Sequence, residues 1–241
     1  MNRKVSVFER DAATNAGYGY TTNQGLSSRL ATRRLQDLIQ QAVVLEGRTV
    51  LDLGCGDGYF TARFWEEGGP KTMVGLDPAP SAVRVARSRN DSPGLHFVVA
   101  DGHSLPLRDS VFDVALVQGV LHHDDHPLRT ISEALRVARQ VVILEPNGNN
   151  LGLKVIERVS RYHREHHEKS YSTPRLLRWI RKSGGSVVGM QFGGLVPMFS
   201  PDWLARATKA VEPAVEKVPV LRALACAVIV LVVERAHADA T

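Results

Sequence analysis

The segment of residues 50–60, VLDLGCGDGYF, restricts the fold of this chain more than any other. Its apolar start predicts a strand, three glycines follow at alternate positions, and a helical pattern comes next. Gly54 and Gly56 carry no Cβ and can adopt positive φ, so a ligand can approach the main chain closely. The N–H groups at the start of the helix can face an anionic group. We therefore predict a ligand-binding turn between a strand and a helix of an open α/β sheet.

Short apolar runs alternate with helical patterns from about residue 49 onward, which is typical of β–α–β units and a parallel sheet. The apolar stretch 218–233 contains Pro219 and Arg222 and is too short to span a membrane, so we predict a buried strand there. The six strands predicted before it are residues 49–53, 72–76, 95–99, 112–117, 141–144 and 187–192.

The composition limits the classes to which the chain can belong. Its 241 residues, 44% of them hydrophobic, suffice for the core of one large domain, and two cysteines exclude a disulfide scaffold. The first residues lack the apolar core of a secretory signal, so we expect the mature protein to begin near Met1 and to be cytoplasmic. A net charge of +5 permits an acidic partner without requiring one.

Acidic residues indicate what the glycine turn binds. Asp77 ends the second strand, about 20 residues after Gly56, where a carboxylate can accept from both hydroxyls of a ribose. NAD-dependent enzymes share that feature, but their G-x-G-x-x-G pattern would need glycine where Tyr59 stands. Asp52 and Asp101 add negative charge, which repels a pyrophosphate and suits an ammonium and a sulfonium. The sequence thus predicts a cationic, ribose-bearing ligand without phosphate.

In order and spacing, these residues resemble the class I methyltransferases that use S-adenosylmethionine. The resemblance implies an α/β fold: a Rossmann-like, mostly parallel seven-stranded sheet with helices on both faces and an antiparallel last strand at about residues 225–233. It also implies S-adenosyl-L-methionine as cofactor and S-adenosyl-L-homocysteine as product. The motifs that carry it are DLGCGDG at 52–58, GLDP at 75–78, ADG at 100–102, FD at 112–113 with the strand to Gln118, and LEP at 144–146.

The resemblance implies a role for each candidate cofactor residue. Asp52 and the main chain of the glycine loop would hold the methionine part, and Asp77 the ribose hydroxyls. Asp101 and an adjacent main-chain N–H of Gly102 or His103 would hold the adenine. Each acid could instead be a helix cap or a turn residue. The complete set is Asp52, Gly54, Cys55, Gly56, Asp77, Pro78, Asp101, Gly102 and Gln118, the last of which would receive the ligand's ammonium through its carbonyl.

A histidine-rich run, LHHDDH at residues 121–126, follows the fourth strand. It resembles the Leu-His-His run of the family's small-molecule enzymes, including the quinone-biosynthesis type. An acceptor that must lose a proton can use a histidine as base, so we predict His122 or His123 as the base or as an acceptor orienter. The open alternative is that one ring packs under the cofactor and the other caps the next helix beside Asp125.

The acceptor is predicted by class only. Residues 117–120, VQGV, do not match the Asn/Asp-Pro-Pro-aromatic motif that methylates planar amino groups, and no basic tract is interleaved with aromatics, which disfavours nucleic acid. We predict a biosynthesis enzyme that methylates a small or medium metabolite or a modified peptide, with oxygen or carbon acceptors favoured. The alternatives are an NAD(P)-dependent oxidoreductase and a non-catalytic S-adenosylmethionine-binding subunit. Oligomeric state and surface association with membranes stay open.

Two regions lie outside the strand–helix rhythm. Residues 1–45 are predicted as a helical cap, in which the tyrosines and glycines of residues 17–22 could form a lid over the cofactor. Residues 46–241 form the methyltransferase domain, with insertions at about 146–173 and 193–217 whose aromatic residues could line the acceptor pocket: Tyr171, Trp179, Phe199 and Trp203.

A possible metal cluster in the first insertion fails the sequence test. His163 and His167 would share one helical face, as two metal ligands can. A zincin needs Glu directly after the first His, where Arg164 stands, and no third ligand is evident. We therefore predict no metal.

Overall fold

Seven strands form one sheet in the part of the chain that the computed structural model describes, which comprises Glu9, Ala12 and residues 17–159 and 169–236. The strands are β1 (Thr49–Leu53), β2 (Thr72–Asp77), β3 (Leu95–Val99), β4 (Phe112–Gln118), β5 (Ala138–Pro146), β6 (Gly185–Gly193) and β7 (Val228–Arg235). Their order is β3-β2-β1-β4-β5-β7-β6, and β7 is antiparallel to both of its neighbours. The predicted Rossmann-like, mostly parallel sheet with an antiparallel last strand is confirmed.

Helices cover both faces of this sheet. α5 and α7 pack on one face, where Leu135 and Ile180 are buried, and α2, α3 and α4 pack on the other, with Leu38 and Phe64 buried. The helices of the described residues are α1 (Gly19–Thr22), α2 (Leu26–Ala42), α3 (Tyr59–Gly68), α4 (Pro80–Arg89), α5 (Pro127–Val137), α6 (Leu151–Val159), α7 (Thr173–Lys182), α8 (Asp202–Lys217) and α9 (Pro219–Ala225).

Alternation along β4 lets one short strand serve two apolar layers. Val114 and Leu116 join the cluster below α2 and α3, whereas Ala115 and Val117 join the cluster below α5 and α7. All four side chains are fully buried, as expected for a strand covered on both faces. Ligand-binding polar groups therefore belong at the carboxyl edge of the sheet, where these strands end.

The apolar stretch 218–233 differs from the prediction in its first half. It contains α9 before β7, and the strand begins at Val228 instead of residue 225. Pro219 occupies the first turn of α9, where the proline lacks only an N–H that no helical carbonyl would accept. In the residues that the structure describes, no helix is long and apolar enough to cross a membrane.

Candidate functional site

The glycine loop between β1 and α3 lies at the carboxyl edge of the sheet. Gly54 has a φ of 86° and Gly56 a φ of 55°, in the left-handed region that favours glycine. A Cβ at Gly54 would overlap the Val120 side chain, and a Cβ at Gly56 would lie 2.5 Å from Cε2 of Tyr18. The packing of these two protein side chains thus requires glycine at both positions, and the close approach of a ligand stays a prediction.

Cys55 helps to fix the loop and is not a reactive thiol. Its main-chain N–H and that of Gly54 donate to the carbonyl oxygen of Leu76, at 3.0 and 2.7 Å, which ties the loop to the end of β2. Burial raises the pKa of the Cys55 thiol well above its usual range, and the charge of Asp77 adds to the effect. The thiolate that nucleophilic chemistry would need is therefore disfavoured.

Asp77 ends β2 beside the glycine loop and is buried. Its Oδ2 accepts from the N–H of Gly56 at 2.9 Å, and its Oδ1 accepts from the N–H of Ala79 at 2.8 Å. Burial raises the pKa of Asp77 to about 6, although the two N–H groups partly oppose the shift. Pro78, the next residue, is exposed. Each carboxylate oxygen keeps a lone pair for a ligand hydroxyl.

Asp52 is a second buried carboxyl group in β1, below the loop. The hydroxyl of Thr61 donates to its Oδ2 at 2.6 Å. Burial raises the pKa of Asp52 to about 6; the Thr61 hydrogen bond opposes the shift, and the charge of Asp77 adds to it. Neither carboxyl group has a lysine or arginine partner in the described residues, so a ligand with positive charge would stabilise both carboxylates.

Gln118, at the end of β4, supplies an acceptor atom to the same edge. Its Oε1 is buried and accepts no hydrogen bond from the residues that the structure describes. A buried acceptor of this kind costs free energy unless a ligand donor reaches it. Together with the cationic preference of Asp52 and Asp77 and the glycine backbone, this atom fits a cofactor that carries an ammonium, a sulfonium and a ribose.

Asp101 and Gly102 follow β3 at the same edge. The Asp101 side chain is 71% exposed, and its Oδ1 lies 2.7 Å from Nδ1 of His103. His103 Nε2 lies 2.9 Å from Oδ1 of Asp124, so the ring joins the two carboxylates. Burial alone would lower the pKa of His103, but Asp124 and Asp101 outweigh it and raise the pKa. A Cβ at Gly102 would lie 3.0 Å from the Leu53 side chain.

Glu145, at the end of β5, fixes the turn that carries the histidine run. Its Oε1 accepts from the N–H groups of Val120 and Leu121, at 2.9 and 2.7 Å. Its Oε2 accepts from the N–H of His122 at 3.2 Å and lies 2.8 Å from Nδ1 of the same ring. His122 is 7% exposed and Glu145 1%. The His122 ring thus has a fixed position and offers a ligand little surface.

His123 packs against His122, with ring centroids 3.9 Å apart and planes inclined by 46°. His123 is partly exposed as a residue, in contrast to the buried His122 that supports it, although the Nδ1 atom of His123 is buried. The structure therefore brings both predicted histidines to the carboxyl edge but gives them different surroundings. Of the two, His123 is better placed to contact an acceptor.

The four aromatic residues suggested as acceptor walls divide into two pairs. Tyr171 and Trp179 meet edge to face, with centroids 4.6 Å apart, and line a cavity of about 490 Å³ beside the histidine run. Phe199 and Trp203 are 56% and 70% exposed and do not line that cavity. The suggested metal ligands, His163 and His167, lie outside the described residues.

The segment before α2 contacts the cofactor edge through Asp57 of the glycine loop. Asp57 Oδ2 accepts from the N–H of Tyr18 at 3.2 Å and from the Thr21 hydroxyl at 2.6 Å. Further along the same edge, the carboxylate of Glu9 accepts from the N–H of Ser81, in the first turn of α4, at 3.0 Å. Tyr18 is buried, as the contact between its ring and Gly56 requires.

Sequence reasoning assigned no role to Asp57 or to Glu145, although both stand within the motifs that it used. The available signals were a polar residue between two loop glycines and a lone acid at the end of an apolar strand. Neither signal identifies the partner, because the donors that meet Glu145 lie 23 to 25 residues earlier in the chain. Glu9 carried no signal of its own.

Comparison with known proteins places the chain in a family. A model described as "Methyltransferase domain" matches residues 51–144. An uncharacterized methyltransferase of Mycobacteroides abscessus is 30% identical over 82% of this chain and 81% of its own length. The chain therefore belongs to the methyltransferase family, in the class I branch that uses S-adenosylmethionine.

Solved structures show the same fold. An S-adenosylmethionine-dependent methyltransferase of Thermotoga maritima superposes with a TM-score of 0.67, at 17% identity, over 96% of this chain and 99% of that one. A chain from the complex of the Haloferax volcanii Trm112 methyltransferase activator with a methyltransferase gives a TM-score of 0.66, at 20% identity, over 95% and 98%. At these identities the likeness extends to the fold alone.

Proposed function

We propose that this chain transfers a methyl group from S-adenosylmethionine to a small or medium metabolite, with an oxygen or carbon atom as the favoured acceptor. The observation that carries the proposal is the pair of buried carboxyl groups, Asp52 and Asp77, beside the glycine loop without a cationic side-chain partner in the described residues. Such a pair favours a positively charged ligand over a pyrophosphate. A quinone-type acceptor stays a prediction.

Particular residues would hold the cofactor in this proposal. Asp77 would accept from the ribose hydroxyls, next to Pro78, and Asp101 with the main chain of Gly102 would bind the adenine. Gln118 would accept a hydrogen bond from the ammonium through its carbonyl. The buried side-chain oxygen Oε1, which has no donor among the described residues, supports this role. The methionine part would contact Asp52 and the loop main chain, namely Gly54, Cys55 and Gly56.

The acceptor chemistry falls to the histidine run. When bound, S-adenosylmethionine supplies an electrophilic methyl group on a sulfonium. We assign His123 as the group that takes the acceptor's proton, because this residue is partly exposed at the carboxyl edge, whereas His122 is buried. His122, held by Glu145, is a positioning residue that sets the orientation of the His123 ring by packing against it.

The domain organisation is part of the proposal. Residues 1–45 would act as a cap and residues 46–241 as the methyltransferase domain, with the insertions at about 146–173 and 193–217 completing the acceptor side. Residues 17–22 would form a lid, which the hydrogen bonds of Tyr18 and Thr21 to Asp57 support. Opening this lid would let the cofactor enter, and closing it would exclude water.

Calorimetry with S-adenosylhomocysteine and, separately, with NADH tests the cofactor assignment. We expect S-adenosylhomocysteine to bind and NADH to give no heat of binding. The reverse result would favour the oxidoreductase alternative and end the proposal.

Turnover of S-adenosylmethionine with a labelled methyl group, on a small-molecule extract of cells, tests the transfer itself. We expect label to appear in a low-molecular-mass fraction. Tight binding of S-adenosylhomocysteine without any labelled product, across extracts and purified acceptor classes, would indicate a non-catalytic binding subunit.

A further inference from the structure

A cavity of about 490 Å³ opens beside the histidine run, outside the residues assigned to the cofactor. One wall follows His123 directly in the chain, at Asp124 and Asp125, and continues into the first turn of α5. The facing wall holds Tyr171, which forms a bridge with Asn147 just beyond the end of β5. The cavity therefore lies on the acceptor side of the carboxyl edge.

Arg175 is the most organised group in this cavity. Its guanidinium carbon lies 4.9 Å from the centroid of the Tyr171 ring and 4.9 Å from that of the Trp179 ring. Contact with two aromatic faces restricts the guanidinium while its N–H groups stay available in the cavity. A guanidinium held in this way suits bidentate binding of a carboxylate or a phosphate.

Two further cations line the cavity, Arg129 of α5 and Lys169. Neither they nor Arg175 has a carboxylate partner among the residues that the structure describes. Arg136, also in α5, behaves differently, since it meets Glu133 at 2.6 Å and Asp109 at 2.9 Å. Within the described ranges, the chain thus neutralises an arginine elsewhere on this helix and offers the cavity cations no such compensation.

The carboxylates of the cavity weaken its positive field only in part. Asp124 already accepts from the Thr130 hydroxyl and from the N–H of His126 at 2.7 Å, and it faces the ring of His103. Asp125 is exposed to solvent, which screens its charge, and it also interacts with another group of the chain. The first turn of α5 adds positive partial charge, since it contains no acidic residue and no side chain caps it.

We propose that this cavity binds an anionic group, a carboxylate or a phosphate, of the methyl acceptor. Arg175 forms the bidentate contact, Arg129 and Lys169 add charge, and the rings of Tyr171 and Trp179 contact a planar apolar part of the same molecule. This inference rests on the proposed function and narrows its substrate class to anionic metabolites. It makes Arg175 the residue that determines specificity.

Small aromatic probes test the proposal without knowledge of the acceptor. Benzoate and phenyl phosphate, which separate the two anion types, are titrated into the full chain at physiological salt and followed by ligand-detected NMR. Benzyl alcohol and benzylamine serve as the uncharged and cationic analogues. We expect at least one anion to bind about tenfold or more tightly than benzyl alcohol, as a charge-assisted bidentate contact implies.

Variants on one helix provide the matched control. Arg175→Gln should weaken binding of the anion about tenfold or more, and Arg175→Lys should restore part of it through charge alone. Arg178→Gln removes an exposed arginine of α7 that does not line the cavity and should change the dissociation constant by less than about twofold. Equal loss in Arg175→Gln and Arg178→Gln would show only a general charge effect and overturn the proposal.

Other outcomes are equally decisive. Anions that bind no more tightly than benzyl alcohol, or benzylamine as the tightest probe, would overturn the assignment of an anion site. Calorimetry with S-adenosylhomocysteine, run on the same preparations, separates this inference from the proposed function. If the wild-type chain binds benzoate through Arg175 but binds no S-adenosylhomocysteine, the anion site stands and the methyltransferase proposal fails.

Discussion

The carboxyl edge of the sheet is built differently on its two sides. On the cofactor side, above β1 to β3, main-chain groups do most of the bonding: Asp77 accepts from two N–H groups, and the glycines have positive φ. On the acceptor side, above β4 and β5, side chains contact side chains, as Thr130 does with Asp124 and Arg175 with Tyr171. The first arrangement needs fixed residues at fixed spacing, whereas the second can change one residue at a time without moving the backbone.

Charge separates the two sides as well. The cofactor side buries the carboxyl groups of Asp52 and Asp77, and the acceptor side exposes the cations Arg129, Lys169 and Arg175. The two sides therefore favour ligand groups of opposite charge. Such a division keeps a cationic cofactor and an anionic acceptor each at its own end of the cleft.

The largest effect is expected at Glu145, a carboxylate through which the acceptor side does depend on main-chain bonds. Glu145→Ala leaves three N–H groups and the His122 ring without their acceptor, so the free energy of unfolding should fall by about 3–5 kcal/mol in a urea titration. Glu145→Gln keeps one acceptor oxygen and should lose less. A loss below about 1 kcal/mol in the alanine variant would contradict this account.

His123→Ala sharpens the contrast between chemistry and binding. If this ring is the base, kcat should fall about a hundredfold or more, while the dissociation constant of S-adenosylhomocysteine changes little. The pH profile of the remaining activity should lose the limb that the base contributes. Activity and profile equal to those of the wild-type chain would reduce His123 to a packing residue.

Asp77→Ala tests the cofactor side alone. Loss of hydrogen bonds to the ribose should weaken binding of S-adenosylhomocysteine by about 1–3 kcal/mol in calorimetry. Asp91→Ala, at an exposed position after α4, is the matched control and should leave the dissociation constant unchanged. If Asp77→Ala leaves the dissociation constant as unchanged as the control does, that result would count heavily against Asp77 as the ribose-binding residue.

The raised pKa values of Asp52 and Asp77 predict a pH dependence confined to the cofactor side. Both pKa values are about 6, so below pH 6 both groups gain protons and lose their attraction for a cation. The affinity for S-adenosylmethionine should therefore fall as the pH drops from 7 to 5. For one coupled proton, the steepest change is about tenfold per pH unit. Asp52→Asn should make the affinity depend less on pH. Binding of benzoate should not follow this curve.

The same pKa values determine whether the stability of the ligand-free protein rises or falls with pH. Unfolding returns each carboxyl group to its usual pKa of 3.8, so between about pH 4 and pH 6 the folded chain holds more protons than the unfolded chain. Stability contributed by these groups is therefore lost as pH rises through that window and is constant above it. A urea titration at pH 4.5 and pH 7 checks the sign, with Asp52→Asn as the variant that removes part of the effect.

The smallest effect is expected for the lid. Asp57→Asn exchanges one acceptor oxygen for an amide and so weakens the hydrogen bonds from Tyr18 and Thr21. The dissociation rate of S-adenosylhomocysteine should then rise about two- to tenfold. Thr21→Val removes one donor from the lid and leaves the glycine loop intact, so it should act in the same direction. An unchanged rate in both variants would contradict the lid.

The sequence predicts the strands of the cofactor side well because local patterns define them. β1 and β3 have the predicted bounds, and Asp77 could be found from its spacing to the glycines. β5 is longer than the predicted residues 141–144, since α5 ends at Val137 and the strand begins at the next residue without a turn signal. α9 escaped prediction because seven mostly apolar residues are too few to show a helical period.

Several contacts on the acceptor side could not be predicted because they join distant parts of the chain. The histidine run was visible in the sequence, but the hold of Glu145 on it depends on β4 and β5 lying side by side. Arg175 lies four residues from both Tyr171 and Trp179, a spacing that is visible in the sequence, but its place opposite residues 124–129 depends on the packing of α7 against α5. Pairings of this kind depend on the packing of the whole fold.

The position of β7 sets the order in which the sheet can be completed during synthesis. β7 is the last of the strands in the described residues, yet it lies between β5 and β6. A nascent chain that ends before residue 228 holds β6 without a neighbour and leaves β5 as an open edge. Open edges pair with other chains, and closure over so long a loop is slow. Until the final strand enters the sheet, the edges of β5 and β6 are therefore exposed to such pairing.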